Sequence, residues 1–433
     1  MMFRFLLSAL LLLASSTVFA QSSNLTFPRL GLIAIGSPHD YDDPAKQAAF
    51  ARYDMVILNI WPNWEAGRSM NMETVTRNIK SRNPNTKVFL YVMNAEFDDY
   101  DNSAAWPELA QKLNNNGWWL YQNGGGGSRV KSTWGVTHYT INNTQFSPRD
   151  SSGENFMDYF ARFTVNRLLV PTPSADGFFL DGVFWKPRVN GDWNRDGVTD
   201  DQNNPTAAGW LRQGFRSQFD AFRSRAPGKL MIGNIADWGE STAVFPEMDK
   251  FLDGGVMESM IGQSWSVENW GGWGAMMTWY RKMFNATTGP QLTLFAQDGA
   301  ANDFRGFRYG YTSCLLDNGV FHYNPSFSAP YVWFDEYDNK LGRALAGPST
   351  SPWKQGVYRR DFERGIALVN PKGNGSVTVD LEQEYRRIAG SQDTSVNNGQ
   401  ATRQVTLQDR DGIVLMRLTA RAVPLPPSEL RVE

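Results

Sequence analysis

Cysteine and histidine are scarce in this chain of 433 residues, and each shortage excludes a class of protein. Cys314 is the only cysteine, so an intramolecular disulfide is impossible, and its apolar neighbours predict a buried, inert thiol. The three histidines, His39, His138 and His322, form no HExxH motif. A zinc hydrolase is therefore not expected.

Excess charge of one sign is also missing. Lys and Arg total 42 and Asp and Glu total 44, which gives a formal net charge of −2. This balance predicts neither a nucleic-acid partner nor a disordered acidic chain. There is no GxSxG elbow, and no glycine-rich phosphate loop follows the first apolar runs. The sequence thus predicts no serine nucleophile of that type and no organic cofactor.

The one apolar run near the start of the chain is too short to span a bilayer. Arg4 precedes the apolar run Phe5–Ala14, and small residues follow at Val18–Ala20. These features predict a signal peptide over residues 1–20 and a secreted or periplasmic mature chain. No later segment is apolar enough to predict a membrane span. Oligomeric state stays open.

Aromatic residues are abundant, with 16 Trp and 15 Tyr. Such a surplus, with only 20% charged residues, suits a site that stacks on the flat apolar faces of sugar rings. At least half of the tryptophans are nevertheless expected in the core.

Eight short, strand-forming apolar runs recur along the chain, most of them separated by helix-like stretches. Near-continuous apolar runs are typical of parallel strands buried on both faces. The pattern predicts an α/β protein with a (β/α)8 TIM barrel; the alternative is a doubly wound open sheet, which would need a phosphate loop. The runs are Gly31–Gly36, Met55–Ile60, Lys87–Met93, Gly177–Val183, Leu230–Ile235, Gly254–Glu258, Gln291–Gln297 and Gly319–Tyr323.

The residue pattern of the chain changes after about Leu345. Gly347–Pro352 reads as a linker, and short strand-like runs separated by Gly, Asn and Asp turns follow. We therefore expect a barrel over residues 21–345 and a small C-terminal antiparallel β-sandwich over 353–433. Packing against the barrel is a more common role for such a domain than sugar binding.

Carboxylates and aromatics cluster where the predicted strands end, which is where barrels carry their chemistry. Glycoside hydrolysis needs two carboxyl groups on opposite sides of one bond. Asp181 and Glu258 each end an apolar run, so we predict them as the catalytic pair, with Asp181 as nucleophile or base and Glu258 as general acid. A strand-ending aspartate and an ion-paired structural glutamate are the alternatives. The residues predicted to bind substrate are Trp61, Glu96, Trp185, Asn234, Trp238, Trp265 and Asp298.

The segment Asp192–Asn203 follows the spacing of a calcium loop. Position twelve is Asn203 rather than a bidentate glutamate, which predicts weak binding or a relocated last ligand such as Asp201. The alternative is a solvated acidic turn. The predicted role of the ion is structural, and the predicted ligands are Asp192, Asn194, Asp196, Val198, Asp200 and Asn203.

Three segments resemble hypothetical glycoside-hydrolase-like family 15. They are the strand ending in Phe-Phe-Leu-Asp181-Gly, the pair Gly233–Asn234, and Val256–Ser259. They are more distantly similar to the endo-α-1,4-polygalactosaminidases. The likeness covers roughly residues 30–324, and it implies a barrel hydrolase of α-linked polysaccharide in which Asp181 and Glu258 match the acidic pair. Retention of configuration is likewise implied only by the resemblance.

The sequence therefore predicts a secreted glycoside hydrolase of polysaccharide or oligosaccharide. The rival from another class is a non-catalytic carbohydrate-binding protein on a degenerate barrel. Such a protein would keep the aromatics but would not need Asp181 and Glu258 close together. A transferase or lyase acting on sugars would use similar residues.

Overall fold

The computed structural model describes most of the chain after the predicted signal peptide. The described residues are 25–35, 41–60, 69–98, 107–124, 127–133, 137–235, 237–238, 251–287, 289–290, 292–325 and 331–419. The predicted signal peptide and Trp61 lie outside these ranges.

Eight parallel strands form one sheet in sequential order, as the apolar runs predict. A parallel bridge between Leu30 and Phe321 joins the first and last strands, and Phe321 N–H donates to the carbonyl of Arg29 at 2.9 Å. The predicted (β/α)8 TIM barrel is confirmed. The strands are β1 (Gly31–Ala34), β2 (Met55–Asn59), β3 (Lys87–Met93), β4 (Gly177–Asp181), β5 (Leu230–Asn234), β6 (Gly254–Ile261), β7 (Leu294–Asp298) and β8 (Val320–Asn324).

Most of the helices begin at residues whose side chains cap free backbone N–H groups. Asp43, Asn71, Asn155, Asn204 and Asp303 each precede a helix and accept a hydrogen bond from its first turn. The helices are α1 (Pro44–Phe50), α2 (Met72–Arg82), α3 (Pro107–Asn115), α4 (Phe156–Thr164, continued by a π turn Val165–Leu169), α5 (Pro205–Arg225), α6 (Val267–Ala286) and α7 (Phe304–Leu315).

The inside of the barrel is filled by branched and aromatic side chains, not by solvent. Phe89, Phe179, Ile232 and Val256 belong to one buried cluster contributed by successive strands. Because alternate residues of a strand share a face, the residues two positions further along also point inward. This apolar layer lies directly beneath the carboxyl ends of the strands.

The long segment between β3 and β4 contributes side chains to the buried core. Trp118 and Trp119 are buried, and the indole N–H of Trp118 donates to the carbonyl of Pro148 at 2.7 Å. A short antiparallel pair, Glu96–Asp98 with His138–Thr140, stands above the end of β3.

Where the sequence predicts a C-terminal sandwich, the structure has one five-stranded antiparallel sheet. The pairing of β11 with β12 shifts register between Asp380 and Tyr385. Apolar residues of β10 and β13 pack against those of β11 and β12 in a core of their own. The strands, in the order β9-β10-β13-β11-β12, are β9 (Tyr358–Asp361), β10 (Gly365–Asn370), β11 (Val377–Arg387), β12 (Ala401–Leu407) and β13 (Asp411–Arg417).

The other face of this sheet packs on α7 of the barrel. The buried guanidinium of Arg360 donates to the backbone carbonyls of Leu315 and Asp317 and to the Asn318 side chain at 2.6 Å, just before β8. Arg410 forms a two-pronged ion pair with buried Glu268 of α6, with both bonds at 3.0 Å. Paired charge and apolar contact therefore join the sheet to the barrel.

Two further predictions concern the single cysteine and membrane-spanning helices. Cys314 is 3% exposed and burial raises the pKa of its thiol, which agrees with an inert cysteine. In the part of the chain that the structure describes, no helix combines the length and apolar content that a bilayer span requires.

Two glycines of α5 give a matched test of this packing. A Cβ at Gly214 would overlap the carbonyl oxygen of Asn143, whereas a Cβ at Gly209 would meet only the end of the Arg212 side chain, at 3.9 Å. We expect Gly214→Ala to lower the free energy of unfolding by roughly 1–3 kcal/mol. Gly209→Ala should raise it by roughly 0.5–1 kcal/mol, because alanine favours a helix interior. Urea denaturation measures both, and equal effects would contradict the packing.

Candidate active site

Polar residues replace apolar ones in the topmost inward layer of the barrel. Tyr91, Asp181, Asn234 and Glu258 each stand two residues beyond a member of the apolar interior cluster and so share its inward face. The register of parallel strands places Asp181 beside Asn234 and Asn234 beside Val256. Two acids that are distant in sequence therefore meet at one end of the barrel.

The side-chain amide of Asn234 connects the two acids directly. Its Nδ2 donates to Asp181 Oδ1 at 3.0 Å and to Glu258 Oε2 at 3.1 Å. Because both oxygens bind one nitrogen, they lie at most about 6 Å apart. The structure thus brings together the two residues that the sequence predicts as a pair, and Asn234 lies between them.

The two carboxyl groups differ in how many donors they meet. Asp181 accepts at both oxygens, since Tyr91 Oη donates to Oδ2 at 2.6 Å. Within the described residues, the one hydrogen bond to the Glu258 carboxyl comes from the Asn234 amide, at Oε2. Hydrogen bonds to both oxygens favour a carboxylate, whereas a carboxyl with a free oxygen can carry a proton there.

Burial raises the pKa of Glu258 to about 7, and the negative charge of Asp181 adds to this effect. The Asn234 hydrogen bond opposes it, and Asp298 contributes a smaller upward push. A carboxyl that keeps its proton near neutral pH can act as a general acid.

A third acid, Glu96, lies close enough to Asp181 to feel its charge. Glu96 is 4% exposed at the start of the short strand that follows β3. Burial raises its pKa to about 7, with Asp181 adding to the shift and Ser132 and Arg188 opposing it. Glu96 is thus a second buried carboxyl that holds its proton near neutral pH.

Asp298, at the end of β7, binds protein groups on both oxygens. Asn324 Nδ2 donates to Oδ1 at 2.7 Å, Gln263 Nε2 donates to Oδ2 at 3.0 Å, and the Ser259 hydroxyl also donates to Oδ2.

His322 lies one layer lower in the barrel than Asp298. Burial lowers the pKa of His322 to about 4 and leaves its imidazole neutral.

The predicted aromatic platform is only partly realised. Trp238 was predicted to bind substrate, and this is wrong: its ring is fully buried, and its N–H donates to the carbonyl of Val183 at 3.1 Å. Trp185 is half-buried with the guanidinium of Arg212 stacked 4.1 Å from its ring. Trp265 is 54% exposed, and Trp270, which was not predicted, is 62% exposed. Trp61 lies outside the described residues.

Two contributors to the site were missed by reasoning from sequence. Tyr91 sits in the middle of an apolar run, but its position two residues after Phe89 marks it as inward-facing. Ser259 has a positive φ of 53°, which no sequence signal announces.

The Asp192–Asn203 loop is ordered by its own side chains. Asp192 accepts from the N–H groups of Asp196 and Gly197 at 3.0 and 2.9 Å, and Asp200 accepts from Trp193 N–H at 3.1 Å. Within the described ranges, no three His, Cys, Asp or Glu side chains converge tightly enough to hold a metal ion. The calcium ligands therefore stay a prediction.

Comparison with known proteins places the chain in a family. The family model described as hypothetical glycosyl hydrolase family 15 matches residues 80–366. A search of curated proteins found no match.

Solved structures that resemble the chain are distant in sequence. An Anoxybacillus α-amylase is 10% identical, with a TM-score of 0.45, over 90% of this chain and 98% of its own. Eubacterium rectale Amy13B is 10% identical, with a TM-score of 0.48, over 92% and 98%. A cycloalternan-degrading enzyme from Trueperella pyogenes is 11% identical, with a TM-score of 0.45, over 93% and 64%.

The raised pKa of Glu258 has a consequence for stability. The folded protein holds this proton up to about pH 7, whereas the unfolded chain releases it near the ordinary value of 4.5. Stability is therefore lost as pH rises from about 4.5 to 7. Glu258→Gln removes the ionisation, so we expect it to raise the free energy of unfolding at pH 8 by roughly 1–3 kcal/mol, with little gain at pH 4.5. Denaturation at both pH values measures this.

The control is Asp220→Asn, which alters an exposed carboxylate on α5. We expect no comparable gain from it. A Glu258→Gln variant no more stable than wild type at pH 8 would show that the folded protein does not desolvate the charged Glu258 carboxylate.

Proposed function

Because the chain belongs to hypothetical glycosyl hydrolase family 15, we propose that it hydrolyses glycosidic bonds of an α-linked polysaccharide with Asp181 and Glu258. The single observation that carries this proposal is the Asn234 amide, which holds one oxygen of each acid. A glycan-binding protein has no need of two acids held at this separation.

The spacing of the acids supports a retaining mechanism. Retaining enzymes place their carboxyl groups about 5–5.5 Å apart, and inverting enzymes place them about 6.5–9.5 Å apart to admit a water molecule. Two oxygens at most about 6 Å apart fit the first class.

The unequal hydrogen bonding of the two acids assigns their roles. Asp181, with donors on both oxygens, is the nucleophile, and Glu258, half-buried and protonated near neutral pH, is the acid. Glu258 gives its proton to the glycosidic oxygen as the bond from that oxygen to the anomeric carbon breaks. An oxygen of Asp181 bonds to the same carbon. Glu258, now a carboxylate, takes a proton from water, whose oxygen attacks that carbon and releases Asp181.

Substrate contacts are proposed on the groups that surround this pair. Glu96 is protonated near neutral pH and can donate a hydrogen bond to a sugar hydroxyl. Trp265 offers an exposed apolar face for a sugar ring. Asn234 and Asp298 make protein contacts in this structure, so their part is better described as shaping the site.

Export is proposed from the N-terminal sequence alone. The basic start, the short apolar run and the small residues before Gln21 are those of a signal peptide, and a polysaccharide substrate would be met outside the cytoplasm.

Asp181→Asn and Glu258→Gln test the proposal directly. We expect each to fold and to lose hydrolysis by about 10³-fold or more, because each acid acts in the reaction itself. In the wild type, kcat/KM should fall as pH rises through about 7, since Glu258 must be protonated. A panel of α- and β-linked polysaccharides, read by reducing ends, finds the substrate, and NMR of the first product gives its anomeric configuration.

Asp220→Asn is again the control and should keep full activity. Full hydrolysis by either site variant would refute the assignment. Binding of a polysaccharide without its cleavage by the wild type would favour the glycan-binding alternative.

A structural calcium ion in the Asp192–Asn203 loop is a second proposal. Oxygen-bearing side chains alternate along the loop, and burial together with the charges of Asp196 and Asp192 raises the pKa of Asp200. A divalent cation would relieve the repulsion that Asp192 and Asp196 exert on Asp200.

Chelation tests this second proposal. We expect EDTA to lower the melting temperature by several degrees and added calcium to restore it, because an ion that binds only the folded state stabilises it. Asp196→Asn should remove that response. An unchanged melting temperature in EDTA and in calcium would show that the loop holds no ion.

A further inference from the structure

The strand that carries Glu258 is irregular at that residue. In the pairing of β6 with β7, Val256 faces Leu294 and Met257 faces Phe295, but Ile261 faces Gln297. Three residues of β6, 258–260, therefore stand opposite the single residue Ala296. Such a bulge bends its strand and turns its side chains to a new direction.

The backbone inside this bulge is strained at a residue other than glycine. Ser259 is 3% exposed and has a φ of 53°, in the left-handed region that favours glycine. A serine keeps this conformation only when its surroundings impose it, and such positions cluster at functional sites.

The surroundings of Ser259 are built around Asp298. The Ser259 hydroxyl donates to Asp298 Oδ2, which also accepts from Gln263, while Oδ1 accepts from Asn324. Gly262 has a φ of 110°, and a Cβ there would overlap the Asp298 carbonyl oxygen, so the chain beyond the bulge also rests on Asp298. Both carboxylate oxygens of Asp298 are engaged with protein donors.

We propose that Asp298 is a positioning residue that acts through Ser259: it fixes the β6 bulge and so aims the carboxyl of Glu258 at Asn234 and Asp181. The inference rests on the proposed function for its kinetic consequence, but the geometry it describes does not depend on activity. Asp298, which the sequence predicts to bind substrate, has a positioning role in this proposal.

The kinetic test uses Ser259→Ala, which removes only the hydroxyl. We expect kcat to fall about 10-fold or more with KM within about twofold, because an acid out of place affects the reaction more than binding. The loss should be much smaller on the 4-nitrophenyl glycoside of the same sugar, whose leaving group needs little protonation. Asp298→Asn also removes a nearby negative charge, so the high-pH limb of kcat/KM should move to lower pH.

A stability cycle tests the same geometry without any substrate. At pH 8, Glu258→Gln should raise the melting temperature of the wild type, and Ser259→Ala should reduce that gain by at least half, because a displaced Glu258 is less buried. Ser313→Ala is the control. Ser313 is a buried serine that bonds Trp273 on the outside of the barrel, so the variant should lose stability and keep the full gain.

The outcomes are separable. Ser259→Ala with wild-type kcat and the full stability gain overturns the positioning role. If the wild type cleaves no polysaccharide, the proposed function fails, and the stability cycle still decides the geometry. If Ser259→Ala does not fold, Ser259→Gly, which adopts a positive φ freely but lacks the hydroxyl, gives the same comparison.

Discussion

Two half-buried acids within hydrogen-bonding reach of one amide are the constraint on which this site depends. Like charges at that distance repel strongly in a medium that contains little water. Asn234 reduces the repulsion by giving one N–H to each acid, and the proton that Glu258 holds near neutral pH removes the rest. The parallel register of β4, β5 and β6 places that amide between them.

The hydrophobic core of this glycosidase therefore also affects the protonation of its acids. The apolar layer of Phe89, Phe179, Ile232 and Val256 fills the barrel beneath the acids and keeps water from them on that side. Desolvation by burial is the first cause of the raised pKa of Glu258, and this layer is part of what surrounds the acid. A smaller residue in the layer would therefore weaken the fold and also alter the protonation of the acid above it.

Sequence reasoning reached the barrel and the acidic pair because both leave a local signature. Parallel strands read as continuous apolar runs, and Asp181 and Glu258 stand out as lone charges in or after such runs. Contacts between residues that are distant in sequence leave no such local signature. Trp238 follows a strand just as Trp185 does, yet one ring is buried and the other half-exposed. The bridging role of Asn234 and the left-handed Ser259 depend on neighbouring strands, which no local pattern encodes.

The attachment of Arg360 to the chain just before β8 changes how the C-terminal sheet should be regarded. Its guanidinium is the hydrogen-bond donor for carbonyls at the end of α7, and Phe362, Val369 and Val414 belong to the same apolar cluster as the helices around the barrel. Removing the sheet would take this donor away from those carbonyls and uncover one side of α7. The sheet is thus an outer wall of the enzyme and shares its hydrogen bonds and its apolar core with the barrel.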